Sequence, residues 1–324
     1  MNSNNIPSSQ WQIDDAGPEY IPQIRDLFKA AFKEEMSIGL WHWKYDDGRG
    51  TGVIVRRGDE VVAYFGGTER RVVFKGEALC AIQCGDSMVA EANRGTLSKK
   101  GPFYLSVTAF LGKYVGFNRP YLLSYGFPNA RAMQLAEYLG VYAEVGNLVD
   151  VTWSAQSSSA FNSVEFDFES PEHQHILNQL WLEMAAEFVE RTIGVRDLEY
   201  LRHRYCDHPE LNYKLHLVDR KDNGGLLGLL VTRQVKDRLL LVDVVSATHT
   251  IRDLADFGRH LAHEQNCHEL YGWLTEIDCH LVASASLEIG ETPLRLPLGV
   301  YCEGLKAEEI KDTWFFMCGD SDFL

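Results

Sequence analysis

The sequence lacks the features that would place it in a membrane, secreted or nucleotide-hydrolysing class. Its 324 residues contain no run of about 18 uncharged apolar residues, which a membrane-spanning helix requires. The polar start MNSNNIPSSQWQ has neither the basic nor the apolar region of a secretory signal. The sequence has no Walker phosphate loop, strand-linked GxGxxG or GxSxG elbow, which disfavours nucleotide hydrolysis, hydride transfer and serine esterase chemistry.

Cysteine and positive charge are also scarce. Seven scattered cysteines, an odd number, do not form a disulfide framework, so we expect a cytoplasmic protein with reduced thiols. The net charge is −15, and residues 161–324 contribute −14 of it. That acidic half keeps the protein soluble and repels phosphate polymers, which disfavours nucleic acid as a partner. The basic residues of the first half can still hold a phosphorylated small molecule.

Hydrophobic periodicity predicts the same order of elements twice. Each half begins with a helix, continues with a three-stranded antiparallel meander, and then alternates helices and strands. The Ser-rich residues 154–163 form the best linker candidate. We therefore predict an α/β (α+β) fold of two domains, each a mixed, mainly antiparallel sheet flanked by helices. The predicted boundaries are a disordered tail over 1–12, a first domain over 13–153, the linker over 154–163 and a second domain over 164–324.

The segment DSMVAEANRGTLSKKGP, residues 86–102, is the most informative part of the sequence. A buried strand enters a loop rich in cations and glycine, and a helix follows. The first N–H groups of a helix attract anions, glycine allows a close approach of the backbone, and nearby cations add attraction. The order of strand, loop and helix therefore favours a phosphate site over an ordinary basic surface loop.

This segment resembles the acyl-coenzyme A loop of the GNAT superfamily of N-acetyltransferases. Val89 and Arg94 match its V-x-x-x-x-R spacing, and the segment GFPNARAMQLAEYLGVY resembles the later N-x-x-A motif of that superfamily. The resemblance covers residues 12–150. Its flanking segments are similar to a bacterial, polysaccharide-associated subgroup. The coenzyme-binding residues it implies are Met88, Val89, Arg94, Gly95, Thr96, Ser98, Lys99, Lys100, Gly101 and Asn129.

The resemblance implies a tandem GNAT-like protein. Its first domain would bind acetyl-CoA or a longer acyl-CoA as co-substrate and would transfer the acyl group to an amine. The acceptor would be a small-molecule amine, for which the subgroup favours an amino sugar, or a protein amine. The second domain would be a degenerate copy that shapes the acceptor cleft.

The sequence departs from the family pattern at two places. Leu97 and Lys99 stand where glycines usually follow the arginine, and Gly101 is displaced downstream. Ala136 occupies the usual position of the tyrosine acid, while Tyr138 is rotated by about 200° around the helix. The standard acid for the leaving thiolate is therefore missing.

Acyl transfer to an amine needs a base, an oxyanion donor and an acid. Asp86 is the candidate base, although it equally fits a residue that caps the strand edge. A backbone amide near Met88 and Val89 is the candidate oxyanion donor. Tyr125 or Tyr142 is the candidate acid, against the alternative that buried strand tyrosines only pack.

Other functions receive less support from the sequence. A non-catalytic pseudoenzyme that keeps the fold as a binding or regulatory module is the main alternative, favoured by Ala136 and the altered glycines. An aminoacyl-tRNA-dependent tandem transferase is opposed by the acidic second half. The pairs His263-Glu264 with His268, and Cys267-His268 with Cys279-His280, lack metal-ligand spacing, so no metal site is predicted.

Overall fold

A computed structural model describes residues 11–94, 99–222 and 224–322 of the protein. The strands of its first half are β1 (Gln12–Asp15), β2 (Gly50–Arg57), β3 (Glu60–Phe74), β4 (Glu77–Val89), β5 (Leu123–Tyr125), β6 (Tyr142–Gly146) and β7 (Leu148–Ser154). Those of the second half are β8 (Phe161–Glu165), β9 (Thr192–Gly194), β10 (Lys214–Arg220), β11 (Leu226–Val235), β12 (Arg238–Val245), β13 (Glu269–Thr275), β14 (Leu287–Glu291), β15 (Leu296–Gly299) and β16 (Trp314–Phe315). The α-helices are α1 (Ile21–Phe32), α2 (Ile38–Tyr45), α3 (Pro102–Tyr114), α4 (Ala130–Tyr138), α5 (Pro171–Glu187), α6 (Leu198–Leu201), α7 (Ile251–Glu264) and α8 (Ala307–Ile310).

The first sheet follows the strand order β1-β2-β3-β4-β5. Its neighbours are antiparallel except β4 and β5, which pair in parallel between residues 81–83 and 123–125. The long β3–β4 hairpin turns at Lys75 and Gly76, whose positive φ values of 49° and 81° suit a tight hairpin with the natural strand twist. Beyond Gln83, β5 no longer pairs with β4, and we call the unpaired edge of β4 that follows “the gap”.

The second sheet has the order β14-β7-β13-β12-β11-β10-β8. It too is antiparallel except for one parallel pair, β12 with β13, between residues 238–240 and 269–271. Helix α7 packs on this sheet through a buried face that includes Leu254, Phe257 and Leu261. The predicted fold class, mixed and mainly antiparallel sheets flanked by helices, is confirmed.

Strand membership crosses the boundary that the sequence predicted at residues 154–163. Strand β7 precedes that boundary, yet it pairs with β13 of the second sheet along its whole length. Conversely, β9 pairs with β3, and β16 pairs with β9, so both extend the first sheet. Strand β8 begins inside the predicted linker, and β1 begins at Gln12, inside the predicted tail. Sheet membership depends on long-range pairing partners, which local sequence patterns do not specify.

The apolar core is continuous across the two sheets. Its largest cluster joins residues of the first sheet, such as Val72 and Tyr125, to residues of the second, such as Trp153 and Leu229. Smaller clusters lie under α3 and under α1 with α2. Within the described ranges, none of the helices combines the length and the apolar character that crossing a bilayer requires.

Candidate active site

Asp86 lies on a β-bulge of β4, three residues beyond the last residue that pairs with β5. The register with β3 shifts there, because Gly85 faces Gly66 whereas Met88 faces Tyr64. Asp86 adopts a φ of +49°, in the left-handed region that aspartate tolerates better than most residues. A bulge re-aims the side chain, which explains how a strand residue reaches helix α2.

Two residues at the end of α2 hold the Asp86 carboxylate. Lys44 Nζ lies 2.7 Å from Asp86 Oδ2, and the Tyr45 hydroxyl donates a hydrogen bond to the same oxygen at 2.5 Å. The Asp86 side chain is only 10% exposed. Burial and the Asp86 charge raise the pKa of Tyr45 well above its usual value, so its hydroxyl stays protonated and donates. Asp86 Oδ1 accepts no hydrogen bond from the described residues.

A second carboxylate, that of Asp322, completes this cluster. Lys44 Nζ lies 2.8 Å from Asp322 Oδ2, and Gln83 Nε2 donates to Asp322 Oδ1 at 2.8 Å. Burial opposes the charged forms, but the carboxylates raise the pKa of Lys44 and the ammonium lowers that of Asp322. The two carboxylates share one ammonium, so the formal charge of this nearly buried cluster is −1.

A polar cavity of about 280 Å³ adjoins the cluster. Lys44, Gln83 and Asp322 line one wall, and Tyr200 and His203 of the second half line another. Most of the cations in the wall are already paired. Their ion pairs are Arg70 with Asp320 (3.0 Å), Arg71 with Asp197 (2.8 Å) and Glu199 (3.2 Å), and Arg49 with Asp47 (3.0 Å). Asp47 and Glu199 stay about four-fifths exposed, so carboxylate oxygens of the cavity lining remain accessible to a cationic amine.

His203 is the imidazole in the cavity wall. Burial, followed by the positive charge of Arg49, lowers its pKa to about 4, so the ring is neutral at pH 7. Trp43 stacks on it with ring centroids 5.0 Å apart and donates its Nε1–H to the His203 carbonyl at 2.9 Å. The ring is therefore fixed in place by an aromatic neighbour.

The last residues of β4 present their backbone to the gap left by β5. Ala90 N donates to Val62 O on β3 at 2.8 Å. Successive residues of a strand direct their N–H groups to opposite edges, so the N–H of Val89 faces the gap. Its carbonyl, on the same edge, accepts from Arg94 Nε at 2.8 Å. The Met88 side chain is buried and packs in the cluster that contains Tyr64, which leaves only its backbone for ligand contact.

The start of α3 has the character of an anion site. Gly101 is its N-cap residue, Pro102 opens the helix, and no side chain caps the first turn. The early N–H groups of a helix have no partner within the helix, and Lys99 and Lys100 are exposed beside them. The predicted coenzyme residues Gly95, Thr96 and Ser98 lie outside the described residues.

The remaining predicted site residues have packing or capping contacts. Tyr125 is 2% exposed; its ring packs on Trp314 and Phe316, and its hydroxyl lies 3.4 Å from Gln83 Oε1. Burial raises its pKa well above the usual value. Asn129 Oδ1 accepts from Ala132 N at 2.9 Å and so caps α4. Tyr125 and Asn129 therefore each have a structural contact in the fold.

Comparison with known proteins gives a fold but no close relative. No protein-family model matches the sequence, and no curated protein matches it. A conserved protein of unknown function from Enterococcus faecalis V583, described as a probable N-acyltransferase, superposes with a TM-score of 0.66 at 14% identity, covering 89% of this chain and 72% of its own. A GCN5-related N-acetyltransferase from Anabaena variabilis gives a TM-score of 0.65 at 13% identity, with 90% and 73% covered.

Saccharomyces cerevisiae N-myristoyltransferase with bound myristoyl-CoA is a third match, with a TM-score of 0.53, 10% identity, and 90% and 83% of the two chains covered. The chain has the fold of the GNAT N-acyltransferases. The GNAT-like resemblance predicted for residues 12–150 is thereby supported at the level of the fold. Identities this low show the architecture only.

Sequence reasoning missed Lys44, Tyr45, Gln83 and Asp322. Lys44 and Tyr45 lie in WHWKYDDGRG, and Asp322 lies in WFFMCGDSDF, more than 260 positions later in the sequence. Nothing in either segment indicates that they meet. The weak signal was a lysine inside an apolar, aromatic helix, where a buried lysine needs a carboxylate partner.

Proposed function

We propose that the protein is an acyl-CoA-dependent N-acyltransferase, most simply an N-acetyltransferase, that acts on an amine. The observation that carries this proposal is the position of Asp86. Its bulge lies on β4 just beyond the pairing with β5, where a thioester would enter. Its ion-pair partner Lys44 lines the polar cavity, where an amine would bind. The GNAT fold of the chain supports the same conclusion.

The start of α3 fits the pyrophosphate of a coenzyme A derivative. Uncapped first-turn N–H groups and the exposed Lys99 and Lys100 together favour a multiply charged anion. We propose that these groups, with Arg94 and Gly101, hold the coenzyme, and that Gly95, Thr96 and Ser98 contribute to the same loop. Asn129 belongs to the proposed set through its position at the start of α4, on the strand-to-helix connection after β5.

The reaction would be a direct attack of the acceptor amine on the thioester carbonyl, in which a C–N bond forms and the C–S bond breaks. Asp86 takes the proton that the amine nitrogen loses, with Oδ1 as its free oxygen. The net negative charge of the Lys44, Asp86 and Asp322 cluster stabilises the positive charge that develops on nitrogen. The Val89 N–H donates to the carbonyl oxygen as it becomes negative.

The departing thiolate needs a proton, and a tyrosine hydroxyl is proposed to supply it. Tyr125 places its hydroxyl beside Gln83, which lines the cavity. Tyr142 lies beside Cys84, the first residue of β4 beyond its pairing with β5. The variants Tyr125→Phe and Tyr142→Phe distinguish them, because loss of the true donor lowers kcat most for acyl donors with poor leaving groups.

The chain is further proposed to consist of two GNAT-like units, residues 13–153 and 164–324, that have exchanged strands. The first unit carries the reaction, and the second contributes Tyr200 and His203 to the acceptor cavity. An amino sugar is the proposed small-molecule acceptor. Its ammonium would meet the carboxylates of the cluster and of the rim.

The test is calorimetric titration with acetyl-CoA, with free CoA and ATP as controls, followed by an acceptor screen that detects released thiol. Saturable one-site binding in the micromolar range, about −8 kcal/mol, together with thiol release supports the proposal. Binding without turnover of any amine favours the pseudoenzyme alternative, for which Ala136 and the buried Tyr125 are the supporting observations.

A further inference from the structure

In both halves of the chain, a cation and then a tyrosine lie at the same distance after the residue that caps a helix. We call these two segments, residues 37–45 and 197–205, the repeated turn. Ser37 caps α2 by accepting from Leu40 N at 2.9 Å, and Lys44 and Tyr45 lie seven and eight positions after that cap. Asp197 caps α6 by accepting from Tyr200 N at 3.0 Å. Arg204 and Tyr205 lie seven and eight positions after it, on the π-helical turn that continues α6.

An aspartate stands at the matching place in each sheet. Asp86 follows the last β4 residue paired with β5 by three positions, and Asp243 follows the last β12 residue paired with β13 by three positions. Each aspartate accepts a hydrogen bond from the tyrosine of the repeated turn. Tyr45 donates to Asp86 at 2.5 Å, and Tyr205 donates to Asp243 at 2.7 Å.

The gap beside each parallel pair also begins in the same way. The pairing of β5 with β4 and the pairing of β13 with β12 each end at a tyrosine that is followed by a glycine, Gly126 and Gly272. A Cβ on Gly126 would lie 2.7 Å from the Cys84 carbonyl, and one on Gly272 would lie 2.9 Å from the Leu241 carbonyl. Only glycine allows the two backbones to approach this closely before they separate.

The two gaps differ in what fills them. In the second unit, residues 314–322, which we call the closing segment, run along β13 beyond Gly272. Trp273 N donates to Cys318 Sγ at 3.2 Å and Thr275 N donates to Phe316 O at 3.2 Å. In the first unit, no strand of the described chain pairs with β4 on the corresponding edge beyond Gln83.

The closing segment is held by the repeated residues themselves. Gly319 packs so tightly that a Cβ would lie 2.2 Å from the Tyr205 hydroxyl and 2.9 Å from Asp243 Oδ2. Arg196 joins Asp243 to Asp320 at 2.8 and 2.7 Å, with all three side chains at most 1% exposed. Arg204, which precedes Tyr205 in the repeated turn, donates to the carbonyls of Gly319 at 3.2 Å and Ser321 at 2.6 Å.

We propose that Arg204, Tyr205 and Asp243 are a second copy of Lys44, Tyr45 and Asp86 that has become an anchor. The closing segment occupies the gap in the second unit that an acyl-CoA would occupy in the first. This inference rests on the proposed function for the first gap. The chain therefore binds one acyl-CoA, and the second aspartate stabilises the fold without taking part in the reaction.

Two matched pairs of variants test the anchor, Tyr45→Phe against Tyr205→Phe and Asp86→Asn against Asp243→Asn. We expect Asp243→Asn to lower Tm by roughly 5–15 °C, because it removes one charge from a buried ionic network. Tyr205→Phe lowers Tm less, and its kcat/KM at 20 °C stays that of the wild type. The first-unit variants instead lose turnover with smaller losses of Tm.

The measurements are thermal unfolding of all four variants and calorimetric counting of acetyl-CoA sites on the wild type. One site per chain supports the inference, and a second equivalent of bound coenzyme overturns it. If Asp243→Asn does not fold, Tyr205→Phe decides: an unchanged Tm, or a loss of turnover at unchanged Tm, refutes the anchor. A protein that binds no coenzyme refutes the proposed function, while the thermal comparison still decides whether Asp243 is an anchor.

Discussion

Lys44 Nζ and Asp322 Oδ2 lie 2.8 Å apart, with side chains only 6% and 12% exposed. One residue belongs to a helix of the first half and the other to the closing segment. Since the same ammonium also binds Asp86, the ionic contact that stabilises the closing segment is part of the proposed catalytic cluster. Stability and activity should therefore change together when Lys44 is replaced.

Replacing Lys44 with Met leaves two nearly buried carboxylates without their cation. We expect a loss of about 3–5 kcal/mol in the free energy of unfolding, and turnover should fall at least tenfold. The loss of stability should shrink as the pH falls towards 4, because protonation removes the unpaired charges. Urea unfolding across pH 4–8 measures this. Lys29→Met, which breaks the exposed pair of Lys29 with Glu35, is the control, and equal losses in both variants would contradict the assignment.

Asp86→Asn keeps the shape of the side chain and removes its basicity. We expect kcat to fall by about 10²–10³ while KM for the amine changes little, because a general base acts on the transition state. Steady-state kinetics with a saturating acyl donor measures kcat and the KM for the amine separately. Asp47→Asn, at the exposed rim of the cavity, is the matched carboxylate control. A wild-type kcat in Asp86→Asn would leave Asp86 only its structural role on the bulge.

Alanine at both Lys99 and Lys100 should weaken acetyl-CoA binding about tenfold and leave Tm unchanged, since exposed charges contribute little to folding. The difference from wild type should shrink as salt is raised, because ions screen exposed charges. Titration calorimetry at two ionic strengths measures it. The double variant Lys29→Ala, Lys33→Ala, in the last turn of α1 and just after it, removes the same charge elsewhere. Identical affinities in the two double variants would place the coenzyme away from α3.

His208 makes the stability of the protein change with pH in the mildly acidic range. Burial, followed by the positive charge of Arg204, lowers its pKa from 6.5 to about 4, and Nδ1 accepts from the N–H groups of Glu210 and Leu211 at 3.2 and 3.0 Å. Because the folded state holds the neutral ring, its contribution is complete above pH 6.5 and is lost as the pH falls towards 4. We expect about 1–2 kcal/mol after allowance for solvent screening.

The variant His208→Asn retains an acceptor for the two N–H groups but does not titrate. Its unfolding free energy, measured by urea titration at intervals between pH 4 and 7, should fall less steeply than that of the wild type. The exposed His249 serves as the control, and His249→Asn should follow the wild-type curve. A wild-type slope in His208→Asn would show that the pH dependence arises elsewhere.

Gly319 and Tyr205 should be coupled energetically, because a Cβ at residue 319 would overlap the tyrosine hydroxyl. Gly319→Ala alone is expected to destabilise the protein by about 1–3 kcal/mol through overpacking. In the Tyr205→Phe background the same substitution should lower the free energy of unfolding by measurably less. A double-mutant cycle of urea unfolding gives the coupling energy, and strict additivity would contradict the tight packing of the closing segment against Tyr205.

Features set by neighbouring residues could be predicted from the sequence. Asn129, the first residue of the N-x-x-A motif, is the N-cap of α4 (Ala130–Tyr138), since capping depends on residues three positions apart. The meander of β2, β3 and β4 was also predicted, because tight turns join strands that are adjacent in sequence. The same local signals identified the strand, loop and helix around the proposed phosphate site.

Features that depend on distant partners could not be predicted. Gln83 and Asp322 are 239 residues apart in sequence, and no periodicity links them. The sequence also gives no sign that Arg196 is wholly buried, because its burial depends on Asp243 and Asp320 arriving from two other segments. The catalytic surroundings of Asp86 are made of such long-range contacts, so the sequence indicated the aspartate but not its partners.

The position of the closing segment has a consequence for biosynthesis. It contacts β13 of one sheet and, through β16 and β9, extends the other, yet a ribosome makes residues 314–322 after every strand that they bind. Until then both sheets expose uncovered strand edges and Arg196 lacks the carboxylate of Asp320. A nascent chain would therefore keep these edges uncovered until residues 314–322 have left the ribosome.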